Sequence, residues 1–382
     1  MIFFFSIFFT VYAAINSYIF IRGWQTLEGY PHLRIIYAIF FAVLSLSYLV
    51  AKLLNQYFSS TLYDILLWIG SFWFAFMVYF LLSILVIDIL RFFLSHSIIF
   101  SEISGQKYSL IKQYLGVFVL LVVFVTILLG YLNTTNIKTK TLNISIPKGN
   151  GKLNELNAVL VSDIHLSPMD DEKFLSHIVN KINEIRPDIV FIAGDLFDDK
   201  AKILEERGIG ESLNKINSKY GTYAITGNHE FINGIESAIK FIENHHIKLL
   251  RDSSTFIEDS FYILGRDDRS VAQFTGKSRV PLKDLTKNLN HNYPIIMMDH
   301  TPFGLEEAQK NNIALQLSGH THHGQIFPAN LITKMIYEMS WGYLKKGNTQ
   351  YYVSCGVGTW GPRVRIGSDS EIINLKIKFV NL

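Results

Sequence analysis

The stretch "LSGHTHHGQ", Leu317 to Gln325, places His320, His322 and His323 together behind an apolar run from Ile313 to Leu317. Neutral imidazole is the commonest side-chain metal ligand. A buried strand that runs straight into such a cluster delivers it to one end of a sheet. On its own this turn is weak evidence, so its meaning depends on what other strand ends supply.

Four other segments follow the same plan. "LNAVLVSD" (156–163) is an apolar run ending at Asp163, with His165 two residues on. "DIVFIAGD" (188–195) ends at Asp195, "GTYAITGNHE" (221–230) carries Asn228 and His229, and "YPIIMMDH" (293–300) ends at His300. Short β-branched runs of this kind read as buried strands. Between them, "FLSHIVNKINEIRP" (174–187) and "IESAIKFIENHHI" (235–247) show helical spacing. "FYILGRDD" (261–268), "QYYVSCG" (350–356) and "EIINLKIKF" (371–379) add further strands. Strand–helix–strand early and mostly strands late predicts an α/β domain of two sheets packed face to face with helices outside. Ligands collect outside the carboxyl ends of strands in such sheets.

The donors are imidazole, carboxylate and amide, with no sulfur. Such sets suit divalent manganese, iron or zinc. Asp163, His165, Asp195, Asn228, His300, His320 and His322 are too many for one ion and fit two ions sharing a carboxylate, with Asp195 the natural bridge. Paired ions about 3.5–4 Å apart can clamp a phosphate ester and generate a hydroxide nucleophile between them.

Taken together, "SDIHLS", "GDLFDD", "TGNHE", "MDHTP" and "SGHTHHGQ" resemble the successive motifs of the calcineurin-like metallophosphoesterases, over roughly residues 140–382. "GRDD" (265–268) and the tail "GVGTWGPRVRIGSDSEI" (356–372) resemble the membrane-associated bacterial branch, some of whose broader membership acts on a UDP-diacylglucosamine precursor of lipid A. The resemblance implies an α/β/β/α sandwich and a metal-dependent phosphohydrolase. It places Asp163, His165, Asp195 and His322 on one ion, and Asp195, Asn228, His300 and His320 on the other. His229 would be catalytic, a general acid or charge stabiliser beside the phosphate, with Glu230 available to orient it. His323 departs from the family pattern, where glycine is frequent, and is expected to point away from the ions. Asp170, Asp171, Asp198 and Asp199 read as solvated groups or as partners of the ligands. Arg363 and Arg365 are candidate phosphate contacts, because a guanidinium fork matches phosphate oxygens. His177, His245, His246 and His291 suit surface or helix-cap positions. Cys355, the only cysteine, reads as a small buried hydrophobe and excludes an internal disulfide.

The rest of the chain is different in kind. Of 382 residues, 49% are hydrophobic and 14% aromatic, and the excess lies in residues 1–133. Four runs there, Ile2–Ile21, Ile35–Leu54, Ile65–Ile87 and Tyr114–Leu132, approach or exceed the roughly 20 residues a bilayer span needs. The first lacks a basic leader and a small-residue cleavage site, so it reads as a retained helix rather than a signal peptide. Asp88, at the end of the third run, is expected to pair locally with Arg91. The expected organisation is a four-span all-α membrane domain (1–133), a linker and leading strand (134–152, with the polar stretch 133–143 as linker), and the catalytic domain (153–382). A net charge of +3 with no basic stripe argues against a nucleic-acid partner.

Function therefore reads as membrane-anchored hydrolysis of a lipid or lipid-linked phosphate ester, with two divalent ions as cofactor, manganese first. If the domain faces the cytoplasm, UDP-diacylglucosamine pyrophosphatase chemistry becomes the alternative. A non-catalytic metal-binding sensor or scaffold is the alternative of another class, and nothing in the ligand set favours it. Arg22 and Arg34 in the first loop and Arg91, Lys107 and Lys112 in the third outnumber Lys52 in the second. By the positive-inside bias this places the catalytic domain outside the cytoplasm of a multi-pass inner membrane, although Lys138, Lys140, Lys148 and Lys152 pull the other way. An alkaline phosphatase reporter fused after Leu382 is expected to be active and a fluorescent-protein reporter dark. The reverse pattern would move the domain to the cytoplasm.

Overall fold

A computed structural model describes residues 2–54, 60–94, 105–170 and 172–381. It divides into two units, residues 1–131 and 132–382.

The first unit is helical: α1 (Ile2–Thr26), α2 (Pro31–Leu54), α3 (Ser60–Leu94) and most of α4 (Gly105–Thr135). Among the described residues, three stretches are long and apolar enough to cross a membrane: Pro31–Leu53, Thr61–Leu94 and Lys107–Thr135. The first expected run is helical as well. At 1.5 Å per residue α3 is about 50 Å long, more than the hydrocarbon core of about 30 Å. Several polar groups inside the bundle are paired, as a low-dielectric interior favours. Trp73 Nε1 donates to Asn16 Oδ1 at 2.9 Å, and Tyr12 donates to the Ser45 carbonyl at 2.6 Å. Asp88 does not rely on Arg91. It accepts from Tyr18 at 2.5 Å and forms an ion pair with Arg22, both on α1. The i,i+3 expectation failed because a partner on a facing helix competed for the same carboxylate.

The second unit contains two six-stranded sheets. Its strands are β1 (Lys138–Pro147), β2 (Glu155–Val161), β3 (Ile189–Ile192), β4 (Thr222–Ala224), β5 (Lys248–Leu249), β6 (Ser253–Ile257), β7 (Phe261–Gly265), β8 (Ile295–Met298), β9 (Leu315–Ser318), β10 (Gly342–Lys346), β11 (Thr349–Val353) and β12 (Glu371–Val380). One sheet runs β1-β12-β2-β3-β4-β5, the other β10-β11-β9-β8-β7-β6. Between them lies a core drawn from both inner faces, including Leu160, Phe191, Ile263, Ile296, Leu317 and Leu375. The outer face of the first sheet packs on the helices Glu172–Glu184 and Ile235–Asn244, and that of the second on Leu305–Lys310. This is the four-layer α/β/β/α sandwich.

Most of the stretch 133–143 expected as a linker is regular structure, and β1 lies inside the segment 134–152 expected to hold a leading strand. Helix α4 continues to Thr135, and β1 begins at Lys138, pairing in parallel with β12 over its whole length. Ile144 and Ile146 are buried in the inter-sheet core. Replacing Ile146 with Asp puts a charge where a linker would tolerate it and a core strand would not. The expected loss is about 3 kcal/mol or more, read as a fall in the thermal unfolding midpoint of the detergent-solubilised chain. No fall would return the segment to linker status.

Candidate metal centre

The parallel strands β2, β3, β8 and β9 end on the same side, and their loops must turn sharply to keep the next side chains there. Asp163, His165, Asp195, His320 and His322 all adopt positive φ, at 52°, 51°, 52°, 72° and 47°. Left-handed backbone costs a residue with a Cβ about 1–2 kcal/mol. Such strain collects where the surroundings over-determine it. Here the loops are cross-tied. Asp163 N–H donates to the Gly194 carbonyl at 3.0 Å, His165 N–H to Asp195 at 3.1 Å, and Gly319 N–H to His300 at 3.0 Å. Gly319 and Gly227 leave the room this needs, since a Cβ on either would strike the carboxylates of Asp163 and Asp195 respectively.

These turns bring the donors together. Asp163, His165 and His322 form one group, Asp195, His300 and His320 another, and His165, Asp195 and His229 a third that shares a residue with each, all with one donor atom per residue mutually within 4.8 Å. Asn228 Oδ1 is 2.8 Å from His320 Nδ1, which adds an amide to the second group. His165 Nε2 faces His322 Nε2 at 2.9 Å and lies 3.7 Å from Asp195 Oδ2, which links the two groups. Asp163 Oδ2 and His300 Nε2 are buried without a hydrogen-bond partner. The latter lies 3.1 Å from Asp195 Oδ2 but lacks hydrogen-bond alignment. Buried polar atoms are seldom left unpaired. Donor atoms aimed at a common point, with no sulfur among them, fit divalent cations. Asp163, His165 and His322 could hold one ion and Asn228, His300 and His320 another, with Asp195 able to reach both.

The surrounding shell fixes these groups. His300 Nδ1 meets the Ala193 carbonyl at 2.7 Å, which leaves Nε2 for the site. Glu230, fully buried, does not orient His229. Its carboxylate accepts from the backbone N–H groups of Asp195 (3.1 Å), Leu196 (2.7 Å), Phe197 (3.3 Å) and Gly227 (2.6 Å). It is the pin of the Asp195 turn. The orienting group is Asp198, 2.9 Å from His229 Nδ1 and 3.5 Å from His165 Nδ1. Burial works against a charged His229, but the Asp198 bond and the Asp195 and Asp198 charges outweigh it and raise the ring to about 9. Cations bound nearby would oppose that rise. The His229 backbone N–H also donates to Asp195 Oδ1 at 2.9 Å.

Arg365 diverges from the expected phosphate contact. Arg365 is 1% exposed and donates to the carbonyls of Cys355 (2.7 Å) and Gly358 (2.6 Å), so its guanidinium braces the loop behind His322. Arg363 pairs with Asp170 and stacks 4.6 Å over Phe174. The Arg365 guanidinium, satisfied by protein oxygens, is not free for a phosphate, whereas the Arg363 side chain stays 24% exposed. His323 lies outside these donor groups, with Nδ1 3.2 Å from Ser340 Oγ and its ring against Trp341. His177, His246 and His291 are exposed, while His245 is buried and caps the helix Ile235–Asn244. Asp199 is partly exposed and accepts from Lys200 N–H at 2.8 Å, and Asp171 falls outside the described residues. Cys355 is buried, and burial pushes its thiol up, away from reactivity. Glu230→Gln replaces an acceptor oxygen with an NH₂ facing backbone donors. It is expected to lower metal affinity about 10–100-fold, measured by titration calorimetry on the apo chain. Unchanged affinity would mean the Asp195 turn does not need the pin.

A family profile for calcineurin-like phosphoesterase matches residues 156–324, the span from β2 to the histidine turn. An uncharacterized metallophosphoesterase of Campylobacter jejuni is 30% identical over 96% of this chain and 96% of its own length. A transmembrane protein with metallophosphoesterase domain from Danio rerio is 35% identical over 63% of this chain, which spans 57% of that relative. An uncharacterized metallophosphoesterase of Aquifex aeolicus is 29% identical over 67% of this chain and 98% of its own length. With the membrane-spanning helices, the two-sheet sandwich and the gathered donors already in place, these matches establish that the chain is a membrane protein belonging to the calcineurin-like metallophosphoesterase family.

Proposed function

We propose that the protein is a membrane-anchored, two-metal phosphoester hydrolase acting on a lipid or lipid-linked phosphate, with four spans and its catalytic unit outside the cytoplasm. The observation that carries the reading is the convergence of donors from five strand ends, two of them buried with no other partner. Divalent ions held there supply Lewis-acid charge for the phosphoryl oxygens and an activated water. The manganese choice follows from the donor chemistry alone.

The chain's own groups do the rest. Asp163 and Asp195 bring negative charge that cations offset. His229, held by Asp198 and 20% exposed at its side chain, has access to a substrate from outside. Protonated, it donates to the departing oxygen or balances charge on the phosphate. Its partner Asp198 keeps that proton on a fixed ring and stays ionised, because the neighbouring His165 and His229 outweigh the cost of burial. The lipid preference rests on the apolar helices, which exceed what a tether requires.

The test is the purified full chain, loaded with Mn²⁺ and offered phosphomonoesters, phosphodiesters and lipid phosphates. Turnover of a lipid phosphate is expected, and metal uptake without turnover of any substrate would overturn the enzyme reading. Asp195→Asn should lose metal and activity together. His229→Ala should keep its metal and lose about 10²–10⁴-fold in kcat, while equal loss of metal would make His229 a ligand instead.

A further inference from the structure

The helix Ala329–Ile336, "ANLITKMI", is amphipathic and mounted the wrong way round for a soluble protein. At 100° per residue Leu331, Met335, Ile332 and Ile336 share one face. That face is exposed: 51%, 79%, 52% and 56% respectively. None of the helix's residues is buried, while Asn330 and Thr333 on the other side are the more covered. Isolated exposed apolar residues need no explanation, but a contiguous patch marks a contact surface.

The patch is built onto the metal loop. Phe327, 45% exposed, precedes the helix three residues after Gly324. Tyr337 follows it, its ring 6.1 Å from that of His320. Trp360, 54% exposed, is held by a reciprocal pair of bonds to Gln325, at 3.1 and 3.0 Å. Exposed Lys334 lies among the apolar residues. Apolar face, interfacial aromatic and a basic residue are the composition of a helix that lies in a lipid–water interface.

The last turn of α4, from Leu132 to Thr135, belongs to the catalytic unit. Asn133 donates to the carbonyls of Arg365 (3.2 Å) and Ser368 (2.9 Å). Between those residues, Ile366 accepts from Phe327 N–H at 2.7 Å. Within the catalytic unit, the residues that continue α4 and the start of the exposed helix are thus joined through one loop, and only two residues separate the end of α4 from β1.

We propose that the face of Leu331, Ile332, Met335 and Ile336 is immersed in the bilayer surface, so that lipid-borne phosphate enters the metal centre from the headgroup layer past Tyr337. The proposal rests on the lipid phosphoesterase reading for the identity of the substrate, not for the position of the helix. The test uses the full chain in phosphatidylglycerol–phosphatidylethanolamine vesicles. Cys355 is buried, so Met335→Cys and Ile332→Cys can each be labelled singly with an environment-sensitive dye. Lys152→Cys, whose parent side chain is 74% exposed, serves as control near the start of β7, away from the strand ends that hold the donors. Blue-shifted emission at 335 and 332, most of it lost to nitroxide-labelled lipids, with neither effect at 152, is the expected result. Water-like emission at 335 and 332 would overturn the proposal. A blue shift that nitroxide lipids do not quench would also overturn it and assign the face to a protein, such as a second copy of the chain. Turnover of a vesicle-borne lipid phosphate by the unlabelled chain is measured in parallel. Turnover without quenching refutes the immersed helix alone, and quenching without turnover refutes the lipid substrate alone.

Discussion

The carboxylate of Asp195 is the constraint around which the catalytic unit is arranged. It is 2% exposed, and burial alone would push its proton affinity up. Instead His300, then His229 and His165, hold it well below the usual carboxylate range. A buried charge survives only when paired. The histidines that pair it arrive from β2, β4 and β8, so satisfying this one group already requires the first sheet and the second sheet to close on each other. Glu230 then supplies what side chains in the site cannot, by taking up backbone donors of the turn that presents Asp195 and of the turn that presents Asn228. Metal capacity follows from that geometry, since donor atoms crowded together without protons to share are stabilised by cations.

A second buried acid does comparable work at the other edge of the sandwich. Glu371, on β12, is fully buried and accepts from the Cys355 backbone at 3.0 Å and from Trp341 Nε1 at 3.1 Å, and it pairs with Lys140 of β1 at 2.9 Å. Lys140 also lies over the Trp341 ring. Trp341 packs on His323, the odd histidine of the metal turn. The strand that follows the last membrane helix is therefore wired, through Glu371 and Trp341, to the back of the site. An extra histidine at 323 is explained by this contact rather than by a metal.

The strands that carry ligands were readable because each is an apolar run closed by a polar side chain, and period and polarity change together at one residue. The first half of β1, 138–143, was not, because "KTKTLNISIP" begins with alternating Lys and Thr whose side chains lie at an exposed sheet edge, where composition resembles a tether. Asp88 and Asp198 share a different difficulty. Each had an ordinary local reading, and each is decided by a residue far away in sequence, Arg22 in one case and His165 with His229 in the other. Arg365 was misjudged because a guanidinium suits phosphate oxygens and backbone carbonyls equally well, and only burial separates the two.

What the sequence by itself determined is the inventory: hydrophobic runs long enough to span a bilayer, an α/β order of elements, and seven donors each placed just past a strand. Those follow from periodicity, length and residue chemistry, which are local properties. Only the tertiary structure decided which groups support the site and which face outward. It made Glu230 a backbone pin, Asp198 the partner of His229, Arg365 a brace, and the helix Ala329–Ile336 an exposed apolar surface beside the metal loop. The reason is physical. Burial, desolvation and hydrogen-bond competition depend on neighbours that the chain brings together from far apart, and no local pattern encodes which neighbour arrives first.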